Sequence, residues 1–196
     1  MTWTPWGQMP STYDRAMTAP TPANDNMPRV VAFTGAAGAG KSTAARYLVE
    51  NHGYKLVKFA GPLKAMMRAL GLDDRHIEGE LKETPLEELN GQTPRYAMQT
   101  IGSEWGRDCM GKDFWTGLWR AEALRHERVV CDDCRFPNEA DVIRQIGGVI
   151  IKVGGRGGIA GNHESERGID DYDHTIVNGG GFRDLHRRID NLLEAA

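Results

Sequence analysis

The sequence predicts a three-layer α/β fold, a parallel sheet with helices on both faces. Three observations carry this. Short apolar runs of buried-strand type, Val30–Thr34, Arg128–Asp133 and Val149–Val153, alternate with helical patterns. The first run passes directly into a glycine loop and then a helix. With 40% hydrophobic residues in 196, the chain can bury one core, as one domain or one domain with a subdomain.

Taken in order, residues 1–28 carry Pro, Thr, Ser, Asn and Gln with no period and read as a flexible N-terminal tail. The fold begins at residue 29. Val30–Thr34 is the first strand, and the helix after it ends at His52-Gly53. Tyr54–Phe59 alternates like a short strand. Pro62 to Leu70 is a helix with proline in its first turn and Gly71 at its end. Residues 72–92 are charged and poorly patterned, as in a mobile surface segment. Thr93-Pro94 caps the next helix, Gly102–Arg107 bends the chain and continues it, and Asp113 caps a helix from Phe114 to Arg125. Pro137 opens a helix to about Ile146, residues 154–170 form a Gly-rich charged loop, and Thr175–Asn178 and Phe182–Leu193 supply a last strand and helix. In such a sheet the function belongs at the carboxyl ends of the strands.

The net charge of −3 gives no sign of a polyanion partner, so stable nucleic-acid binding is not expected. No apolar run is long enough to span a membrane. Three cysteines are too few for a disulfide framework, which fits a reducing cytoplasm. Monomer and homodimer both stay open.

The chemistry starts at Gly35-Ala36-Ala37-Gly38-Ala39-Gly40-Lys41-Ser42, with Thr43 following, which fits the phosphate-binding pattern G-x-x-x-x-G-K-[ST]. Glycines let the backbone curl so that several N–H groups converge on one anion. The helix that begins there turns its positive end to the phosphates. Lys41 would reach the β- and γ-phosphates of ATP, and the Ser42 hydroxyl would hold Mg²⁺.

Asp132 and Asp133 end a buried-type strand, where such a loop needs an acid to orient the metal. Side chains alternate along a strand, so only one of the pair can face the site, and Asp133 is favoured. The other reading of the pair is a strand end capping the next turn. Cys131 and Cys134 have C-x-x-C spacing, but no second Cys or His pair completes a zinc set, and buried small thiols are the better reading.

Arg95, Gln99, Arg107 and Arg135 form a second constellation, with Lys64 from the preceding helix. The planar fork of arginine suits a phosphate, and the glutamine amide suits a base edge. Singly, each reads as a solvated or salt-bridged surface residue; together, they suggest a pocket for a second phosphate-bearing substrate. Arg156 and His163–Arg167 lie in the 154–170 loop, which reads as a lid or as an ordinary long loop. Trp105, Trp115 and Trp119 read as core, with one ring, Trp105 by preference, stacking on a base as the alternative.

Five stretches also resemble one family in order. Phe59-Ala60-Gly61-Pro62-Leu63-Lys64 resembles the F-A-x-P-L-K segment of bacteriophage deoxynucleoside monophosphate kinases. Arg95 to Trp115 is similar to their monophosphate-binding region, and Asp133–Ala140 to their D-V-R-F-P-N-E-A segment. His163–Glu166 resembles their H-x-S-E lid motif, and Asp173–Gly179 their D-x-x-I-x-N-x-G tail. Cys134 stands where the family has an aliphatic residue.

The resemblance implies a P-loop kinase domain over 29–196, with a monophosphate-binding region at 59–115 and a lid-like loop at 154–170. It implies transfer of the ATP γ-phosphoryl to a deoxynucleoside monophosphate. Lys64, Arg95, Gln99, Trp105, Arg107 and Arg135 are then substrate-binding candidates, and Lys41, Asp133, Arg135 and Arg156 catalytic ones, with Mg²⁺ on Ser42 and Asp133. The alternatives are another acceptor, such as a modified base in DNA or dephospho-coenzyme A, and an ATP-binding switch.

Overall fold

The computed structural model describes residues 27–155 and 169–195. The expected tail at 1–28 and the lid loop, with Arg156 and His163–Arg167, therefore fall almost wholly outside the described residues.

Five strands form one sheet: β1 (Val30–Thr34), β2 (Lys55–Leu56), β3 (Val129–Cys131), β4 (Gly148–Gly154) and β5 (His174–Val177). Their order is β2-β3-β1-β4-β5, and every pairing is parallel. β1 is central, with Val31 opposite Val130 on one side and Val149 on the other. Its five residues are all buried, the mark of a strand covered on both faces.

The helices are α1 (Lys41–His52), α2 (Gly61–Ala69), α3 (Asp74–Ile77), α4 (Pro94–Thr100), α5 (Phe114–Ala123), α6 (Pro137–Gln145) and α7 (Phe182–Ala195). Alternation along β1 splits the core in two. Val30 and Ala32 pack with Trp119 and Ala123 of α5 and Ala140 and Ile143 of α6. Val31 and Phe33 pack with Ala44, Ala45 and Leu48 of α1 and Leu185, Ile189 and Leu193 of α7.

A third cluster departs from expectation. Residues 72–92 hold α3 and two 3-10 turns, Glu80–Glu83 and Glu87–Leu89, rather than a structureless segment. Asp73 caps α3, its carboxylate accepting from the amides of Arg75 and His76. Leu72 and Ile77 are buried with Met67 of α2 and Met98 of α4, and Leu86 and Leu89 pack against them, so four widely spaced apolar residues pin a segment that looks polar in sequence.

At Gly102–Arg107 the chain continues, as expected, in helical form. α4 runs into a π-helical stretch, Ile101–Cys109, which ends with the Met110 amide donating to the Trp105 carbonyl at 3.0 Å. Asp113 precedes α5 but makes no side-chain cap; its carboxylate accepts from Asn138 Nδ2 at 3.2 Å instead. On α5, Trp115 and Trp119 are buried while Leu118 is exposed. β2 is shorter than the expected 54–59 run, although Val57 still donates to the Val130 carbonyl at 2.9 Å.

Candidate active site

The glycine loop joins β1 to α1 and is fixed by its neighbours. Gly35 (φ 128°), Gly38 (77°) and Gly40 (108°) all take left-handed backbone. A Cβ on Gly35 would lie 2.3 Å from the Val153 carbonyl oxygen, and one on Gly40 would lie 2.4 Å from Asn178 Nδ2. Asn178, just past β5, donates that amide to the Ala39 carbonyl at 2.9 Å, so the fifth strand clamps the loop. α1 opens on Gly40 with no side-chain cap and no acid in its first turn. Its first N–H groups and its positive dipole end are thus left for an anion. The Lys41 ammonium lies along the loop, donating to the carbonyls of Gly35 at 2.7 Å and Ala36 at 2.8 Å. Desolvation lowers its pKa, as does the nearby Arg135, while Asp132 pulls it up.

β3 lies beside β1, so the two aspartates after Cys131 emerge next to this loop, and they face different ways. Asp132 is buried and pairs with Lys58 Nζ at 3.2 Å, yet its Oδ1 has no hydrogen bond among the described residues. Asp133 accepts from the backbone amides of Phe59 and Ala60, both at 3.0 Å, and lines the neighbouring pocket. Desolvation raises its pKa against the pull of those amides. The sequence favoured Asp133 for the metal; the structure ties Asp133 to the start of α2, and Asp132 is the one whose charge reaches Lys41.

The pocket, of about 260 Å³, lies on the far side of Asp133 and Arg135. Lys64, Arg95, Gln99, Arg107 and Arg135 all line it, as the sequence grouped them. Trp105 does not. It sits half-exposed against the edge of Phe114, with ring centroids 5.3 Å apart. The aromatic wall is Trp115, whose indole donates to the Gly102 carbonyl at 2.8 Å, together with Phe136.

The α-to-π transition explains the selection. Arg95, Gln99, Ser103 and Arg107 are spaced by four and all face the pocket. A step of four overshoots an α-helical turn of 3.6 residues, and the wider π turn carries the row back. Gly106 makes this possible, since a Cβ there would lie 2.3 Å from Trp115 Nε1.

Glu139 was missed by the sequence reading as a site residue. It is buried at the first turn of α6 and accepts from the amides of Arg135 at 2.7 Å and Phe136 at 3.1 Å. It also pairs with Arg107 at 3.3 Å, and the Arg107 guanidinium lies 3.9 Å over the Phe136 ring. Burial pushes its pKa up to about 7, although the two amides and Arg107 oppose this. Glu78 and Lys82 were missed too, because they lie in the 72–92 segment. Glu78 pairs with Lys64 at 2.5 Å, and Glu83 pairs with Arg95. For these residues the only signal in the sequence was the i, i+4 pair Glu78 and Lys82.

Cys131 and Cys134 are buried, and desolvation raises both thiols. Among the described residues no helix is long and apolar enough to cross a membrane.

No family model matches the chain. It is 36% identical over 188 residues to a protein of Acanthamoeba polyphaga mimivirus provisionally named deoxynucleotide monophosphate kinase, an alignment covering 85% of this chain and 97% of that one. Among solved structures it is similar to shikimate kinase from Acinetobacter baumannii, at 16% identity and TM-score 0.49, over 86% of this chain and 94% of that one. Shikimate kinase from Bacteroides thetaiotaomicron aligns at 12% identity and TM-score 0.49, over 84% and 98%. The Mycobacterium tuberculosis APS kinase aligns at 15% and 0.43, over 86% and 98%. A glycine loop at the end of a central parallel strand and an adjoining cationic pocket accompany a match along nearly the whole mimivirus protein, and that match gives the assignment: the chain belongs to the deoxynucleotide monophosphate kinase family.

Proposed function

We propose that the protein transfers the γ-phosphoryl of ATP to the 5′-phosphate of a deoxynucleoside monophosphate. The observation that carries this is the pocket beside Lys41, where Lys64, Arg95, Arg107 and Arg135 converge with Gln99 and two aromatic rings. Two phosphate-rich substrates repel each other, and such a cation set offsets that repulsion.

The residues take roles by position. The backbone of Gly35–Gly40 and the first turn of α1 hold the ATP phosphates, and Lys41 leaves its loop carbonyls for the β- and γ-oxygens. Arg135 stands between Lys41 and the acceptor pocket, at the place where charge develops during transfer. Gln99 and Ser103 face the base, and Trp115 with Phe136 walls it. Arg156 remains the proposed lid arginine.

A magnesium ion fits the donor side. Ser42 opens α1 beside Lys41, and Asp132 presents a buried oxygen that has no hydrogen bond and is charge-paired with Lys58 at 3.2 Å. One carboxylate and one hydroxyl suffice, because Mg²⁺ usually takes its other ligands from phosphates and water. When bound, the ion neutralises charge on the β- and γ-phosphates. We assign it to Ser42 and Asp132, leaving Asp133 to hold α2. The free thiols agree with a reducing cytoplasm.

Incubation with ATP-Mg²⁺ and each common deoxynucleoside monophosphate should give the diphosphate and ADP from at least one. ATP hydrolysis indifferent to every monophosphate would overturn this function.

A further inference from the structure

We infer that Lys82 is an acceptor-phosphate ligand, and that the 72–92 segment is thereby a working wall of the acceptor site. The inference rests on the function proposed above and adds to it a residue outside every motif. Lys82 lies in the 3-10 turn Glu80–Glu83, and its side chain lines the pocket. Three of the other pocket cations have carboxylate neighbours: Lys64 pairs with Glu78, Arg95 with Glu83, and Arg107 with Glu139. Lys82 makes no ion pair or hydrogen bond among the described residues. Desolvation lowers its pKa first, and Arg95, Lys64 and Arg135 lower it further, with Glu78 opposing them.

A half-buried ammonium facing three other cations is unfavourable in the empty protein. What reverses the sign is an anion, and the size of the pocket and the neighbouring Gln99 and Trp115 suit a nucleotide phosphate. Arg135 adjoins both Lys41 and Lys82, so the cations run from the donor loop into the acceptor pocket. Lys82 stands at the acceptor end. It makes and breaks no bond; it binds the phosphate that receives the transferred group. The turn that carries it is anchored by Ile77 and Leu86 on Met67 and Met98, which fixes its distance from Arg95.

The test uses the full chain with Lys82→Met and Lys82→Arg. Thermal unfolding is measured with no addition, with inorganic phosphate, and with each of four common deoxynucleoside monophosphates; kinetics are run with either substrate varied. Lys82→Met should match or exceed the wild-type Tm with no addition, because repulsion is relieved, and should lose most of the rise given by phosphate or monophosphate. Its KM for the monophosphate should increase at least tenfold, with the KM for ATP within about twofold, and Lys82→Arg should restore most of the difference. A ligand-induced rise in Tm and a monophosphate KM both unchanged in Lys82→Met would overturn the role of Lys82. A wild type that phosphorylates no monophosphate would instead remove the acceptor function itself, a result that the wild-type arm reports separately.

Discussion

The two halves of the proposed site are built from different materials. The donor half is backbone: three left-handed glycines, the open end of α1, and a loop clamped by Asn178. The acceptor half is side chains, drawn from α2, the 72–92 segment, α4 with its π extension, and the turn before α6. A backbone site is fixed once the strand and helix are fixed. A side-chain site needs each cation held, and here acidic partners do so: Glu78 on Lys64, Glu83 on Arg95 and Glu139 on Arg107. The donor half is therefore preorganised by steric fit, and the acceptor half by charge.

The sharpest way to break the donor half is at Lys41. Lys41→Ala should lower kcat by about 10²–10³-fold or more, on the scale of losing one preorganised group at developing charge. Because the loop shape rests on glycines and Asn178, the fold should be kept, and the circular dichroism spectrum should match wild type. A kcat within tenfold of wild type would mean that the loop does not carry the transfer.

The acceptor half should break in the other kinetic constant. Arg107→Ala removes a charged hydrogen-bond donor of the kind worth about 1.5–3 kcal/mol. Expected is a monophosphate KM about 10- to 100-fold higher with the KM for ATP little changed. Equal increases in both constants would show that the halves are not separate, and the contrast between them would fall.

Charge-based holding also predicts a pH dependence that steric holding lacks. Glu139 has its pKa raised from 4.5 to about 7 by burial. The folded protein thus holds this proton more tightly than the unfolded chain does. Stability from this source is complete below pH 4.5 and is lost as pH rises through about 7. Glu139→Gln should remove that slope, flattening the unfolding free energy between pH 5 and pH 8 by up to about 3 kcal/mol. Denaturant titrations of both proteins at these two pH values would read it, and identical slopes would show that Glu139 is not held protonated in this window.

The same division decided what could be read in the sequence. The sheet, its order of strands and helices, and the donor loop follow from local patterns, because each depends on residues adjacent in the chain. Arg95, Gln99, Arg107 and Arg135 were grouped correctly, but partly by resemblance. Trp105 was misplaced because a nine-residue π stretch shifts the facing set, and nothing in the composition of Ile101–Cys109 announces a π turn. Alternation along a strand says that Asp132 and Asp133 face different ways without saying which faces the loop, and both lie past the last paired residue of β3. The 72–92 segment was read as mobile because its anchors, Leu72, Ile77, Leu86 and Leu89, are too far apart to show a period. Residues that act through long-range packing leave no local trace.

The smallest expected effect concerns Cys131 and Cys134, the motif that the site leaves unused. Cys131 sits on β3 in the core beneath the acidic pair, and Cys134 packs in the same cluster against α6. Desolvation raises both thiols, so neither is a nucleophile at neutral pH. Their contribution is volume in a close-packed layer behind the pocket, and neither lines it. Cys131→Ser with Cys134→Ser should therefore leave kcat and both KM values within about twofold, while two buried hydroxyls cost about 1–3 kcal/mol each unless they find partners. A lowered Tm with intact kinetics is the expected pair of readings. Lost turnover at a temperature where the variant is folded would give the C-x-x-C spacing a chemical role, and would extend the donor half beyond the backbone.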